Sequence, residues 1–215
     1  MAVNTLAAQT TPEYFETLYR EADGDSSRIP WADGRAQPAL VNWLNAAASS
    51  IIRCGSRVVV VGCGLGEDAR ELIKRGYDVT AFDCSKTAIN WARQLDPENA
   101  RCYCTADLFN PPAKWKHRFD LVVEINTIQA LVPDMHVKAM QAIAQLMSPH
   151  GPLLVICRGC DEPAGIDDGP PWALTRQELL EIADSAGLSP VDAVTEFTDE
   201  ENPPVRRMRA LFRRA

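Results

Sequence analysis

Apolar positions along the chain fall into short blocks whose period switches repeatedly between strand and helix. Val58-Val59-Val60-Val61 places four β-branched residues in a row, as a strand buried on both faces of a parallel sheet requires. Glu67 to Arg75 follows with helical character, acidic in its first turn and basic in its last, as the helix dipole prefers. Gly76 closes that helix, Asp78 to Phe82 predicts a second strand, and Ser85 is placed to cap a helix from Lys86 to Arg93. Further strands are predicted at Arg101–Thr105, Phe119–Asn126 and Leu153–Cys157, with a helix from about Asp134 to Met147 between the last two. Thr175-Arg176-Gln177-Glu178 is a capping box opening a helix to about Ala186. Two last strands, near Val191–Phe197 and Val205–Phe212, are joined by the acidic turn Thr198–Pro204.

Upstream of the first strand, residues 1–11 read as a loose arm. Pro12 to Glu21 is a short amphipathic helix with Tyr14, Phe15, Leu18 and Tyr19 on one side. Pro38 to Arg53 reads as one continuous helix. Between them lies a polar, turn-rich stretch that carries Trp31, and the loop Arg158–Leu174 is long for a compact domain, which suits a functional or mobile segment. The alternation predicts an α/β protein: one doubly wound, mostly parallel, seven-stranded sheet ending in an antiparallel hairpin.

Length and charge narrow the possibilities. With 215 residues the chain fits one domain, and a net charge of −7 argues against a nucleic-acid backbone as the main partner. Arg206, Arg207, Arg209, Arg213 and Arg214 make a local basic patch, read as solvated positions on a C-terminal edge strand. No run approaches the ~18 apolar residues of a membrane span. The N-terminus shows no secretory pattern, and seven scattered cysteines, an odd number, suit free thiols in a reducing cytoplasm.

The chemistry centres on Gly62-Cys63-Gly64-Leu65-Gly66, directly after the valine strand. Glycines at alternate positions let the backbone turn sharply and approach a ligand with no Cβ in the way. A dinucleotide fingerprint puts its third glycine where this chain has Glu67, and an acid there repels a pyrophosphate. S-adenosylmethionine, with no phosphate and two cationic groups, tolerates acidic neighbours. Asp83 at the tip of strand 2 suits both ligands, since one carboxylate accepts both ribose hydroxyls; Asp107 at the tip of strand 3 favours an adenine amine.

Taken in order, Val-Gly-Cys-Gly-Leu-Gly, Val-Thr-Ala-Phe-Asp-Cys-Ser, Ala-Asp-Leu-Phe and Phe-Asp-Leu-Val-Val-Glu resemble the class I SAM-dependent methyltransferases over roughly residues 55–215. That resemblance implies that Gly62, Cys63, Gly64 and Gly66 border the methionine portion and that Asp83, with Cys84 beside it, holds the ribose. It places Asp107 and Leu108 around the adenine and Glu124 and Ile125 at the methionyl end. One departure is Val60, where many members carry an acid that helps bind the cofactor's amino group; Asp68, Glu67 or a backbone carbonyl is left to take that contact.

After strand 4 the chain reads Glu124-Ile125-Asn126-Thr127, unlike the Asn/Asp-Pro-Pro-Tyr/Phe signature of methyltransferases acting on amide or base nitrogens. The N-terminal half resembles the small-molecule branch related to thiopurine, thiol and tellurite methyltransferases. This implies a lid in residues 1–54 over a SAM-binding domain in 55–215, and a small-molecule acceptor, sulfur favoured, in a cytoplasmic monomer or homodimer. Tyr19, Trp31, Asn126, Gln129, Arg158 and Trp172 are the candidate acceptor-binding residues, with a surface ion pair to Asp161 or Glu162 as the competing role of Arg158. No residue stands out as a catalytic base, and alignment with exclusion of water is the expected source of rate. The pairs Cys102/Cys104 and Cys157/Cys160 fall short of a four-ligand zinc site, so no metal is expected. Two other readings stay open: a nicotinamide-dependent oxidoreductase and a non-catalytic SAM sensor.

Overall fold

The computed structural model of the chain describes residues 10–201 and 203–215, so most of the expected N-terminal arm lies outside the described residues. The amphipathic helix forms as α1 (Pro12–Ala22), with the Thr11 side chain accepting from the Tyr14 amide as its cap. The next predicted helix breaks in two, α2 (Pro38–Ala46) and α3 (Ala48–Ile51), because Ala47 leaves helical geometry. There the Ser50 hydroxyl bonds the Ala47 carbonyl at 2.7 Å, a local side-chain bond that competes with the helical ladder.

The rest follows in alternation: β1 (Arg57–Val61), α4 (Glu67–Lys74), β2 (Asp78–Asp83), α5 (Lys86–Leu95), β3 (Tyr103–Thr105), β4 (Leu121–Ile125), α6 (His136–Leu146), β5 (Leu153–Arg158), α7 (Arg176–Asp184), β6 (Leu188–Pro190), β7 (Thr195–Thr198) and β8 (Arg206–Arg214). The sheet runs β3-β2-β1-β4-β5-β8, and the far edge of β8 is covered by β6 and β7. β6 pairs with Phe212–Arg214 and β7 with Arg206–Arg209, so the two act as one lane interrupted at residues 191–194. The expected seven strands are therefore seven lanes, the last one broken. β8 is antiparallel to β5 and internal, not an edge strand. Two of its arginines are correspondingly tied down: Arg207 is buried and ion-paired to Asp199 and Glu201, and Arg206 to Asp161 and Glu196, while Arg213 stays exposed.

Strand alternation sorts the core into two faces. Val59, Val61, Phe82, Val122 and Val155 pack under α6 and α7. Val58, Val60, Ala81, Val123 and Ile156 pack against Leu40 and Trp43 of α2, Ala69 and Leu72 of α4, and Ile89 of α5. Each such valine, leucine, isoleucine or phenylalanine contributes about 1.5–3 kcal/mol on burial. Because α2 shares this core, the second half of the expected N-terminal extension is built into the sheet domain. Strand order reverses between β1 and β4, so the crevice at their carboxyl ends is where an open α/β sheet binds ligands.

Candidate active site

The crevice is floored by the glycine turn. Gly62, Gly64 and Gly66 all have positive φ (+60°, +51° and +84°), and a Cβ built on each would meet a different neighbour. On Gly62 it would lie 2.5 Å from the Thr127 hydroxyl oxygen, on Gly64 2.9 Å from the Tyr19 hydroxyl oxygen, and on Gly66 2.6 Å from the Tyr103 ring. The turn thus binds together the segment after β4, the N-terminal helix and strand β3. Cys63 sits half-buried within it, its amide bonded to the Phe82 carbonyl at 2.9 Å, and burial pushes its thiol well up.

Asp83 ends β2 with a buried carboxylate that accepts from the Gly64 amide at 3.0 Å and the Ser85 amide at 2.9 Å. Burial raises its pKa, and these backbone donors act against the rise. Cys84 beside it is half-buried, its thiol pushed up by burial and by the neighbouring Asp83 carboxylate. Asp107 is exposed at the end of β3 and accepts from the Phe109 amide at 2.9 Å, whereas Leu108 turns into the core near Trp115.

Over the turn lies α1. Tyr19 is 2 % exposed and accepts from the Trp31 indole N–H at 2.7 Å; the rings meet edge-on, and Phe15 flanks Trp31 in the same way. Burial, then the nearby Asp83 carboxylate, raise the Tyr19 phenol well above its ordinary value, so it stays protonated. The latch is Glu16. Its carboxylate accepts from the Ser85 hydroxyl at 2.7 Å, the Thr87 hydroxyl at 2.5 Å and the Thr87 amide at 3.1 Å, pinning α1 to the N-terminus of α5. Desolvation raises its pKa, but the hydrogen bonds outweigh it and the net shift is downward. The stabilisation from Glu16 is therefore present above its ordinary value of 4.5 and lost as pH falls through the lowered one. Amide hydrogen exchange, corrected for the intrinsic rate at each pH, checks this: Glu16→Gln, or acidification of the native protein below pH ~4.5, is expected to lower protection in α1 and leave protection in β1 and β4 unchanged. Unchanged exchange in α1 would remove the latch.

Val60 is a buried core residue, and the two acids expected to replace its missing carboxylate face the segment leading into α2. Asp68 accepts from the Gln37 amide at 2.8 Å, and burial lifts its pKa to about 6. Glu67 is also raised, first by burial, with Asp33 close by. Arg70, the nearest cation, spends one N–H on the Leu65 carbonyl at 2.7 Å. The turn accordingly carries an excess of negative charge.

The tip of β4 is unusual. Asn126 is left-handed (φ +59°), and its Oδ1 is buried with no hydrogen-bond partner. Ile125 is half-buried against the α2 face of the sheet. Glu124 is fully buried on the opposite face, one oxygen accepting from the Ile128 amide at 3.0 Å and the other unpartnered. It braces the turn after β4 from beneath. Desolvation lifts its pKa to about 7, so the folded state holds this proton more tightly than the unfolded chain and stability falls as pH rises from 4.5 to about 7. Glu124→Gln is expected to be more stable than the native protein at pH ~8, by up to about 3 kcal/mol, and to match it near pH ~4. An equal effect at both values would show that Glu124 is not neutralised by burial.

Gln129 and Trp172, two acceptor-binding candidates, prove to be internal braces. The Gln129 amide donates to the Arg158 and Trp172 carbonyls, both at 2.8 Å, and accepts from the Arg158 amide at 2.7 Å, which spends both donors on the chain in a fully buried side chain. Trp172 is 1 % exposed, folded over Gly169, with its indole N–H on the Ile166 carbonyl. Tyr19, Trp31 and Asn126 do reach the crevice, and Arg158 ends β5 at the same edge of the sheet. Among the described residues, no three His, Cys, Asp or Glu side chains converge as a metal site would need.

Residues 58–151 match a methyltransferase domain family. Over 179 residues the chain is 24% identical to probable thiol methyltransferase 2 of Arabidopsis thaliana, covering 81% of this chain and 75% of that one. Shorter matches reach tRNA N(3)-cytidine methyltransferases; with that of Mus musculus, identity is 30% over 46% of this chain and 28% of the relative. Among solved structures, one described by the conversion of a disulfide bond into a thioacetal group during echinomycin biosynthesis superimposes with TM-score 0.73, at 26% identity over 95% of this chain and 93% of that one. The Burkholderia thailandensis 1,6-didemethyltoxoflavin-N1-methyltransferase, solved with its substrate and S-adenosylhomocysteine, also gives 0.73, at 20% identity over 95% and 91% of the two chains.

Proposed function

We propose, from the premise that this chain is a class I SAM-dependent methyltransferase, that it methylates a small-molecule nucleophile held over the tips of β4 and β5. The observation that carries this reading is the cover: Tyr19 seated on Gly64 and latched through Glu16. A segment packed so closely over a ligand crevice excludes water and suits a compact acceptor better than a nucleic acid. The cover consists of α1 and the Trp31 segment, since α2 belongs to the core.

When bound, S-adenosylmethionine supplies a methyl group on a positively charged sulfur. The chain's own residues fit that group. The Asp83 carboxylate, held by the Gly64 and Ser85 amides and the Cys84 thiol, would take the ribose hydroxyls. Gly62, Cys63, Gly64 and Gly66 offer bare backbone to the methionine portion, and Glu67 and Asp68 set a negative field for the cationic groups. Asp107, exposed past β3, would take the adenine side, whereas Leu108 is turned into the core away from it.

The residues at the crevice also bear on the acceptor atom. His136 is buried on the Leu131 carbonyl with a lowered pKa, His117 lies beside Met147 and Arg214, and His150 is exposed at the far end of the sheet. None reaches the tips of β4 and β5. An alcohol needs a base at the moment of attack, whereas a thiol arrives as the thiolate at mildly alkaline pH. We therefore favour sulfur, in keeping with the thiol methyltransferase relative. Incubation with methyl-labelled S-adenosylmethionine and matched small thiols, alcohols, amines and transfer RNA tests this. Methyl thioether formed in step with S-adenosylhomocysteine, at a rate following the acceptor's own thiol ionisation near pH ~8.5, supports it. Label on oxygen, nitrogen or RNA alone refutes it.

A further inference from the structure

We propose that Arg158 is an anion-binding residue of the acceptor site, selecting methyl acceptors that carry a carboxylate. The inference rests on the methyltransferase reading above and adds the chemical class of the substrate.

Arg158 is the last residue of β5, at the carboxyl end of the parallel strands and two lanes from β1, roughly 10 Å away at the usual strand spacing. Its backbone is clamped on both sides by Gln129 and by the Leu174 amide, so the direction in which its side chain leaves the sheet is fixed. Its guanidinium, by contrast, has no hydrogen bond or ion pair among the described residues. The surrounding acids are committed elsewhere. Asp161 pairs with Arg206, Glu196 with Arg176 and Arg206, and Asp199 and Glu201 with Arg207. Glu162 makes no ion pair with it. The competing role expected from the sequence, a surface pair with Asp161 or Glu162, is thus not made.

The neighbour across the ladder strengthens the case. Arg158 stands directly opposite Arg207 in the β5–β8 pair. Arg207 is 2 % exposed and, even with two carboxylates on it, keeps a buried Nη1 with no partner. On the other side, the Asn126 backbone N–H donates to the Ile156 carbonyl, and its side-chain Oδ1 is the unpartnered buried acceptor described above. A half-buried, unpaired guanidinium suits a planar carboxylate, which it binds through two parallel N–H donors. Asn126 then takes a donor on the same molecule, and the reactive end of the acceptor points back across β4 towards the glycine turn.

The test is calorimetric titration of the S-adenosylhomocysteine-loaded protein with 3-mercaptopropionate and with its methyl ester, for the native chain, Arg158→Gln and Arg158→Lys. The acid is expected to bind at least tenfold tighter than the ester to the native protein. Arg158→Gln should erase that preference and Arg158→Lys should keep part of it, with S-adenosylhomocysteine affinity and melting temperature unchanged in both. Equal binding of acid and ester to the native protein, no binding of either, a preference that survives Arg158→Gln, or loss of S-adenosylhomocysteine binding in that variant overturns the proposal. A carboxylate preference without methyl thioether formation would refute the sulfur acceptor and leave the anion subsite standing. Thioether formation with no carboxylate preference would do the reverse.

Discussion

Asp83→Ala is expected to weaken S-adenosylhomocysteine binding by about 100-fold or more, the largest effect of any single side chain in the crevice. A buried carboxylate accepting two ribose hydroxyls makes two charged hydrogen bonds, each worth about 1.5–3 kcal/mol. Asp83 also holds the Gly64 and Ser85 amides, so the alanine variant loses some order in the glycine turn as well. Asp83→Asn separates the two contributions. It keeps an acceptor for one amide and removes the charge, so it should lower the melting temperature less than alanine does while still losing at least tenfold in affinity. Calorimetry and thermal denaturation on the same samples check both. Native affinity in Asp83→Ala would show that the ribose lies elsewhere.

Gly66→Ala is expected to destabilise the fold by about 2–4 kcal/mol, combining left-handed strain with overpacking. Its Cβ would stand 2.6 Å from the Tyr103 ring, which is buried and holds Asp96 through its hydroxyl at 2.8 Å. A chain of this size then melts about 4–16 °C lower. Gly64→Ala should behave differently. Its Cβ meets the Tyr19 hydroxyl, which belongs to the cover and not to the sheet. That variant is expected to lift α1, shown by faster amide exchange in residues 12–22, with a smaller loss of melting temperature. The same response from both substitutions would mean that the turn is one rigid unit and that Tyr19 has no separate role.

Much of this was legible in the chain itself. A run of four valines can bury only in a sheet covered on both faces, and the glycines after it leave the backbone bare at the place where strand order reverses. Asp83 follows from being the first polar residue past an apolar strand. What could not be read depends on contacts distant in sequence. Glu16 lies on an amphipathic helix where a solvated acid is the ordinary expectation, and nothing local announces that Ser85 and Thr87 will meet it. Gln129 and Trp172 looked like pocket residues because polar and aromatic side chains in loops often face ligands; here they close the loops upon themselves. The C-terminal arginines suggested a solvated edge because their acids, Asp161, Glu196, Asp199 and Glu201, lie on other segments. The interruption of the last lane at residues 191–194 has no strong turn signal beyond Pro190.

A crystal structure with S-adenosylhomocysteine bound decides whether the glycine turn holds the cofactor. The expected result has both ribose hydroxyls on the Asp83 carboxylate, the homocysteine portion along Gly62–Gly66 beneath Tyr19, and the sulfur facing Asn126 at the tip of β4. S-adenosylhomocysteine lodged away from the glycine turn, or bound there with its sulfur turned from β4, would contradict it.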